Sequence, residues 1–288
     1  MHNSLSFEVN GRRIAAMEWG QPDGVPLLAL HGWLDNAASF TRLARMLPGV
    51  RLIALDLCGH GLSDHRPAGM PYYIWDNVPE VLAVADQLGL RRFDLLGHSM
   101  GAAVSTLLAG AFPGRVRRLF LIDGLMPLDY EAGQLPELMA EALQKRARAG
   151  RRVLRPYGSF EQAVQARMGG RWPVCREAAQ WLLERGMREQ DGNWHWRSDS
   201  ALTLPSVVRL CDAQIDAFLG RIGCPVDLVM AEQGLGLDRV QQKLPLIDDI
   251  ELHIYPGGHH LHLEADGAAR IAKLISDRLQ IEPDQGIG

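Results

Sequence analysis

Short, nearly uninterrupted apolar runs alternate with helical patterns along this chain, and that alternation leaves few folds open. Residues 26–31, 51–57, 93–97 and 118–123 are runs of this kind, built from Leu, Ile, Ala and Phe. A run of that length with no polar alternation reads as a strand covered on both faces. Between runs, apolar residues recur near the 3.6 period, as at Val78, Val81, Leu82, Ala85 and Leu88 within 77–88. Helical spacing also marks 40–47 and 102–112. Strand–helix order predicts a mostly parallel sheet with helices on both faces. Ahead of it, 4–9 and 13–19 read as two strands joined at Asn10-Gly11, a strong hairpin signal. The alternation lapses over 125–205, where helices are expected at 134–148, 160–168 and 175–185, with a small hairpin at 187–197 over Asp191-Gly192. It returns with strands at 225–231 and 250–255 and a closing helix at 268–279, and 282–288 read as a frayed tail. The expectation is an α/β core of 1–124 and 206–288, interrupted by an insertion at 125–205.

Composition narrows the class further. The chain has 288 residues, 47% hydrophobic and 22% charged, which excludes a disordered chain, a collagen and a coiled-coil rod. A chain this long buries about 75% of its unfolded surface and needs no staples. The net charge of -4 supplies no basic field for nucleic acid. No apolar run reaches the roughly 18 residues of a membrane span, and 1–10 lack a signal-peptide core. Cys58, Cys175, Cys211 and Cys224 form no Cys-x-x-Cys pair, so they read as reduced thiols of a cytoplasmic protein.

Three segments carry chemistry. Gly97-His98-Ser99-Met100-Gly101 stands between an apolar strand and a small-residue helix. This is the context that Gly-x-Ser-x-Gly needs to act as a nucleophile elbow, with glycines where larger residues would clash. The Met100 N–H then points to a developing oxyanion at the head of the helix. His31-Gly32-Trp33 follows an early strand, and the Trp33 N–H is the natural second donor. Tyr255-Pro256-Gly257-Gly258-His259-His260-Leu261-His262 follows the last strand. A histidine here can shuttle the proton of Ser99, and His259 is the expected base. His260 and His262 read as supporting residues. No His-Glu-x-x-His helix pattern argues for a metal.

In this order the three segments resemble the α/β-hydrolase fold over nearly the whole chain outside the insertion. Asp56-Leu57-Cys58-Gly59-His60-Gly61-Leu62-Ser63 is similar to that family's structural Asp-x-x-Gly-His-Gly-x-Ser loop. His31-Gly32-Trp33-Leu34-Asp35-Asn36-Ala37, Ile122-Asp123-Gly124 and Leu182-Leu183-Glu184-Arg185-Gly186 narrow the likeness to the serine hydrolase-like proteins. The resemblance implies a mostly parallel, eight-stranded twisted sheet flanked by helices, with 125–205 as a helical cap after the sixth strand. It implies serine chemistry on esters, thioesters or amides, because dehalogenases and epoxide hydrolases of this fold carry aspartate at the elbow.

The triad acid is the open member. Where the family usually has aspartate, after the seventh strand, this chain has Gly234. Asp123, at the end of the sixth strand, is the favoured acid, a placement some members use, with Asp238 and Glu232 as alternatives. The expected activity is hydrolysis of a small to medium carboxylic ester or thioester, with no cofactor and no metal. Catalytically weak ligand binding, or lyase or acyltransferase chemistry, is the alternative on the same fold. In the insertion, Trp172, Trp181, Trp194 and Trp196 are candidates for a pocket roof or for cap packing. The basic stretch with Arg146, Arg148, Arg151 and Arg152 reads as a solvated helix face, with an anionic substrate as the other possibility.

Overall fold

The computed structural model describes residues 2–149 and 154–281, and among these, ten strands form in the order the apolar runs dictate. They are β1 (Asn3–Val9), β2 (Arg12–Trp19), β3 (Val25–Leu30), β4 (Val50–Leu55), β5 (Phe93–His98), β6 (Val116–Ile122), β7 (Met187–Gln190), β8 (Asn193–Trp196), β9 (Val226–Gln233) and β10 (Ile250–Gly258). Eight of them make one sheet in the order β1-β2-β4-β3-β5-β6-β9-β10, and β7 pairs with β8 alone. The β1–β2 and β2–β4 pairs are antiparallel and the other pairs of the large sheet are parallel. Asn10 and Gly11, at φ 51° and 72°, supply the two positive-φ residues that a tight hairpin loop demands.

Among the described residues nine helices accompany the strands: α1 (Thr41–Ala44), α2 (Asn77–Gln87), α3 (Met100–Ala111), α4 (Leu135–Ala149), α5 (Phe160–Met168), α6 (Arg176–Gly186), α7 (Asp212–Leu219), α8 (Leu237–Lys243) and α9 (Ala265–Leu279). Side chains alternate across each central strand and fill two cores. Leu28, Leu30, Ile53, Leu55, Leu95, Leu119, Leu121 and Leu228 face α2, α3 and α7. Leu27, Ala29, Leu52, Ala54, Leu96, Phe120 and Val229 face α1 and α9. Both faces are therefore covered, which is why these strands lack polar alternation.

Between β6 and α7, α5 and α6 enclose a separate small core of Ala163, Val164, Val174, Ala178, Ala179, Leu182, Leu183 and Met187, closed by Leu263. Polar contacts seat this segment on the sheet's loops. The buried Arg185 guanidinium bonds the buried Asp56 carboxylate at 2.9 Å, and Asn36 Nδ2 donates to the Leu182 carbonyl at 2.8 Å. The two sequence motifs around Asp56 and Arg185 thus interlock. α4 differs, since Ala142 is its one buried side chain.

The helix expected over 40–47 is instead a 3-10 turn, Ala37–Phe40, running into the four-residue α1. The Asn36 side chain caps that turn by accepting from the Ala38 N–H. α7 and α8 lie where the periodicity raises no expectation. Arg151, Arg152 and the tail 282–288 lie outside the described residues.

Candidate active site

β5 ends in a turn so tight that only glycines fit around it. A Cβ at Gly97 would sit 2.6 Å from the Ala102 Cα, and one at Gly101 would sit 2.0 Å from the Leu30 carbonyl oxygen. Between them Ser99 is held at φ 53°, ψ -113°, ahead of α3, with its N–H on the Ile122 carbonyl at 3.0 Å. Such a backbone is strained for any residue but glycine. It presents the Ser99 hydroxyl at the C-terminal ends of the parallel strands.

The turn after β3 comes up beside it. A Cβ on Gly32 would lie 3.3 Å from the Ser99 Cβ. The Asp35 N–H closes this turn on the Gly32 carbonyl at 3.1 Å. His31, which precedes it, is fully buried and accepts from the Leu57 N–H at Nε2, so its Nδ1–H donates to the Gly32 carbonyl at 2.7 Å. Burial pushes the His31 pKa down to about 4, which keeps that arrangement neutral. Among the described residues, the Trp33 and Met100 N–H groups have no backbone partner.

His259 leaves the end of β10 and meets Asp123, with Nδ1 2.6 Å from Asp123 Oδ2. Asp123 is fully buried, at φ 43°, and its carboxylate also accepts from the Ala231 and Leu235 N–H groups at 3.0 Å each. The Asp123 carboxylate occupies the space that a side chain at 234 would need, because a Cβ on Gly234 would meet Asp123 Oδ1 at 2.0 Å. Asp238 and Glu232 are exposed, Asp238 in the first turn of α8, and neither bonds to His259 among the described residues. Among the described residues, the His259 ring bonds Asp123 and makes no hydrogen bond to Ser99 Oγ.

Sequence reasoning gives His98 and Asp35 no role of their own and names no partners for the supporting residues His260 and His262. His98, buried next to Ser99, donates from Nε2 to the His259 carbonyl at 2.9 Å. Its bare Nδ1 is buried against Gly32, without a partner among the described residues. Burial and the neighbouring rings of His262, His259 and His260 hold the His98 pKa well below the usual histidine range. His260 bonds Asp35 at 3.0 Å and His262 bonds Ser39 Oγ at 2.8 Å. Asp35, His98 and His260 place a ligand atom each within 4.8 Å of one another, a donor set a transition metal can use. The cation present there is the Arg167 guanidinium, 3.2 Å from Asp35 Oδ1. The signal for this cluster in the sequence is only the density of polar residues in 31–36 and 259–262.

The four insertion tryptophans separate in the structure. The Trp172 ring lies 4.9 Å from the His259 ring and walls the site. Trp181 stacks under Arg42 and Arg45, Trp194 meets Phe160, and Trp196 meets Tyr157. Trp33 is half exposed at the mouth, and its Nε1 donates to the Leu202 carbonyl at 3.0 Å. No helix of the described residues is long and apolar enough to cross a membrane.

A family model described as the alpha/beta hydrolase fold matches residues 25–266. The chain belongs to the α/β-hydrolase fold family. Within it, this hydrolase falls in the serine hydrolase-like subgroup. It is 32% identical over 276 residues to a serine hydrolase-like protein of Dictyostelium discoideum, covering 90% of this chain and 76% of that one. It is 31% identical over 287 residues to a serine hydrolase-like protein of Danio rerio, covering 93% of this chain and 85% of that one. Among solved structures, a hypothetical protein of Pseudomonas aeruginosa PAO1 superposes with a TM-score of 0.92 at 46% identity, covering 96% of this chain and 99% of that one.

Proposed function

We propose that this hydrolase cleaves a small to medium carboxylic ester or thioester through a Ser99–His259–Asp123 triad and an acyl-enzyme. The observation that carries this reading is the buried 2.6 Å contact between His259 Nδ1 and Asp123 Oδ2 beside the strained Ser99 elbow. With Nδ1 held by the carboxylate, Nε2 of the neutral ring is the basic nitrogen. Ser99 Oγ attacks the carbonyl carbon as His259 Nε2 takes its proton. The carbonyl oxygen gains the negative charge, and the Trp33 and Met100 N–H groups are free to stabilise it. Collapse expels the alcohol or thiol, which takes the proton from His259, and water attacks the acyl-enzyme by the same steps. Residues 125–205 act as a cap in this reading. Trp172 against His259 and the half-exposed Trp33 favour a substrate with apolar groups near its scissile carbonyl.

Covalent labelling with a fluorophosphonate probe tests the assignment. Wild-type protein should label at Ser99 and Ser99→Ala should not. Asp123→Asn should slow labelling by about 10³- to 10⁴-fold, since it leaves the wrong histidine tautomer. Asp238→Asn should label at the wild-type rate. Equal slowing in Asp238→Asn would move the acid there. A folded wild type that never labels would overturn the triad in favour of ligand binding.

A further inference from the structure

Arg167 does not touch any residue of the triad, yet its guanidinium meets three pieces of the site at once. It projects from α5, in the segment between β6 and α7. Nη2 donates to Asp35 Oδ1 at 3.2 Å and stands 3.2 Å from His260 Nε2, while Nη1 donates to the Trp172 carbonyl at 2.8 Å. His260 closes the network on Asp35 Oδ2 at 3.0 Å. Each partner is one step from the chemistry. Asp35 closes, through its own N–H, the turn that carries the Trp33 N–H. His260 follows the base in the chain. Trp172 packs its ring against the base at 4.9 Å.

Burial alone would raise the Asp35 carboxyl pKa, but the His260 ring and the Arg167 guanidinium outweigh it and hold the group well below the carboxylate range. Asp35 is 6% exposed, so an anion left there without its guanidinium is costly. The turn, the corner at His259–His260 and the Trp172 wall come from three separate stretches of chain. The planar guanidinium donates to Asp35 and to the Trp172 carbonyl from two nitrogens, and Asp35 in turn accepts from His260 Nε2–H, a fixed fork that the point charge of an ammonium does not reproduce.

We propose that Arg167 is a positioning residue that assembles the oxyanion turn, the base and the aromatic wall, a role that rests on the Ser99–His259–Asp123 assignment. Seating the 125–205 segment and completing the catalytic geometry are then one event, because the same side chain does both. A shift of about 1 Å in such a constellation costs about 10²-fold in rate.

The test compares wild type, Arg167→Met, Arg167→Lys and Asp35→Asn. Two quantities are measured for each: the second-order rate of fluorophosphonate labelling, and kcat and KM on p-nitrophenyl butyrate. Arg167→Met should lose about 10²-fold in kcat and in labelling rate with KM unmoved. Arg167→Lys should recover little, and millimolar guanidinium should restore part of the Arg167→Met rate. Asp35→Asn should show the same kcat-selective loss, and it carries the test where Arg167→Met fails to fold. A folded Arg167→Met that labels at the wild-type rate overturns the proposal and leaves the triad standing. A rise confined to KM also overturns it, since Arg167 would then be a substrate contact. A wild type that never labels at Ser99 removes the triad and this role with it.

Discussion

At the residue scale, Asp123 and Gly234 share one volume. Asp123 is at φ 43° on one strand end, and Gly234 stands on the neighbouring strand's loop, where a Cβ would fall inside the Asp123 carboxylate. Gly234→Asp alone should therefore abolish activity and lower stability, because two side chains cannot occupy that space. Asp123→Gly should be inactive as well. The double variant Asp123→Gly/Gly234→Asp should regain a substantial fraction of kcat, since glycine accepts the positive φ at 123 and position 234 has no positive φ that excludes aspartate. Steady-state ester hydrolysis by the three variants checks this, and a double variant no better than the singles would count against a shared seat. The sequence exposes the departure at 234 and the spare aspartate at 123. Which oxygen reaches His259 depends on the φ at 123 and on two backbone donors, Ala231 and Leu235, and no residue pattern encodes those.

At the element scale, legibility follows burial. The strands β3–β6 and β9 are readable because covering both faces leaves them few polar positions, as in β5, where all six residues are buried, whereas β10 at the sheet edge keeps Glu251 and His253 and buries none of its residues. α5 begins where the Ser159 side chain caps it, accepting from the Gln162 N–H. α7 is short, with Ile215 and Leu219 its two buried side chains, too few to show a period. α8 buries Val240 and the stem of Lys243, which does not register as apolar. α3 and α4 are opposite extremes. α3 buries ten of its residues, from Gly101 to Gly110, while α4 buries Ala142 alone and leaves Leu138 and Leu143 38% and 52% exposed. Local opening costs little where few apolar contacts are lost. Native-state hydrogen exchange should thus be fastest among the longer helices in α4 and slowest in α3. Equal protection in both would show that something further covers α4.

At the scale of the whole molecule, the fold shelters histidines in neutral form. Burial lowers the pKa of His31 to about 4 and of His60 to about 3, and it depresses those of His98 and His262 well below the ordinary range. The unfolded chain binds protons on these rings near pH 6.5, and the folded chain does so only at much lower pH. Stability from these groups is therefore complete above about pH 6.5 and falls as pH drops from there toward the folded values. Each ring removes about 1.4 kcal/mol per pH unit across its window. Urea midpoints should be flat from pH 8 to about 7 and fall steeply from about 6.5 to 5. A midpoint unchanged across that lower range would mean that the rings are solvated or protonated in the folded state.

The elbow has a thermodynamic side. Ser99 holds a φ of 53° that the chain relieves nowhere else in that turn, and residues kept in such regions cost of order 1–3 kcal/mol. The fold thus carries a permanent debit for presenting one hydroxyl. Ser99→Gly, which removes the proposed nucleophile and accepts the same backbone freely, should melt several degrees above the wild type in a calorimeter while hydrolysing nothing. In this chain competence and maximal stability are different optima, and selection for heat resistance alone would erase the enzyme.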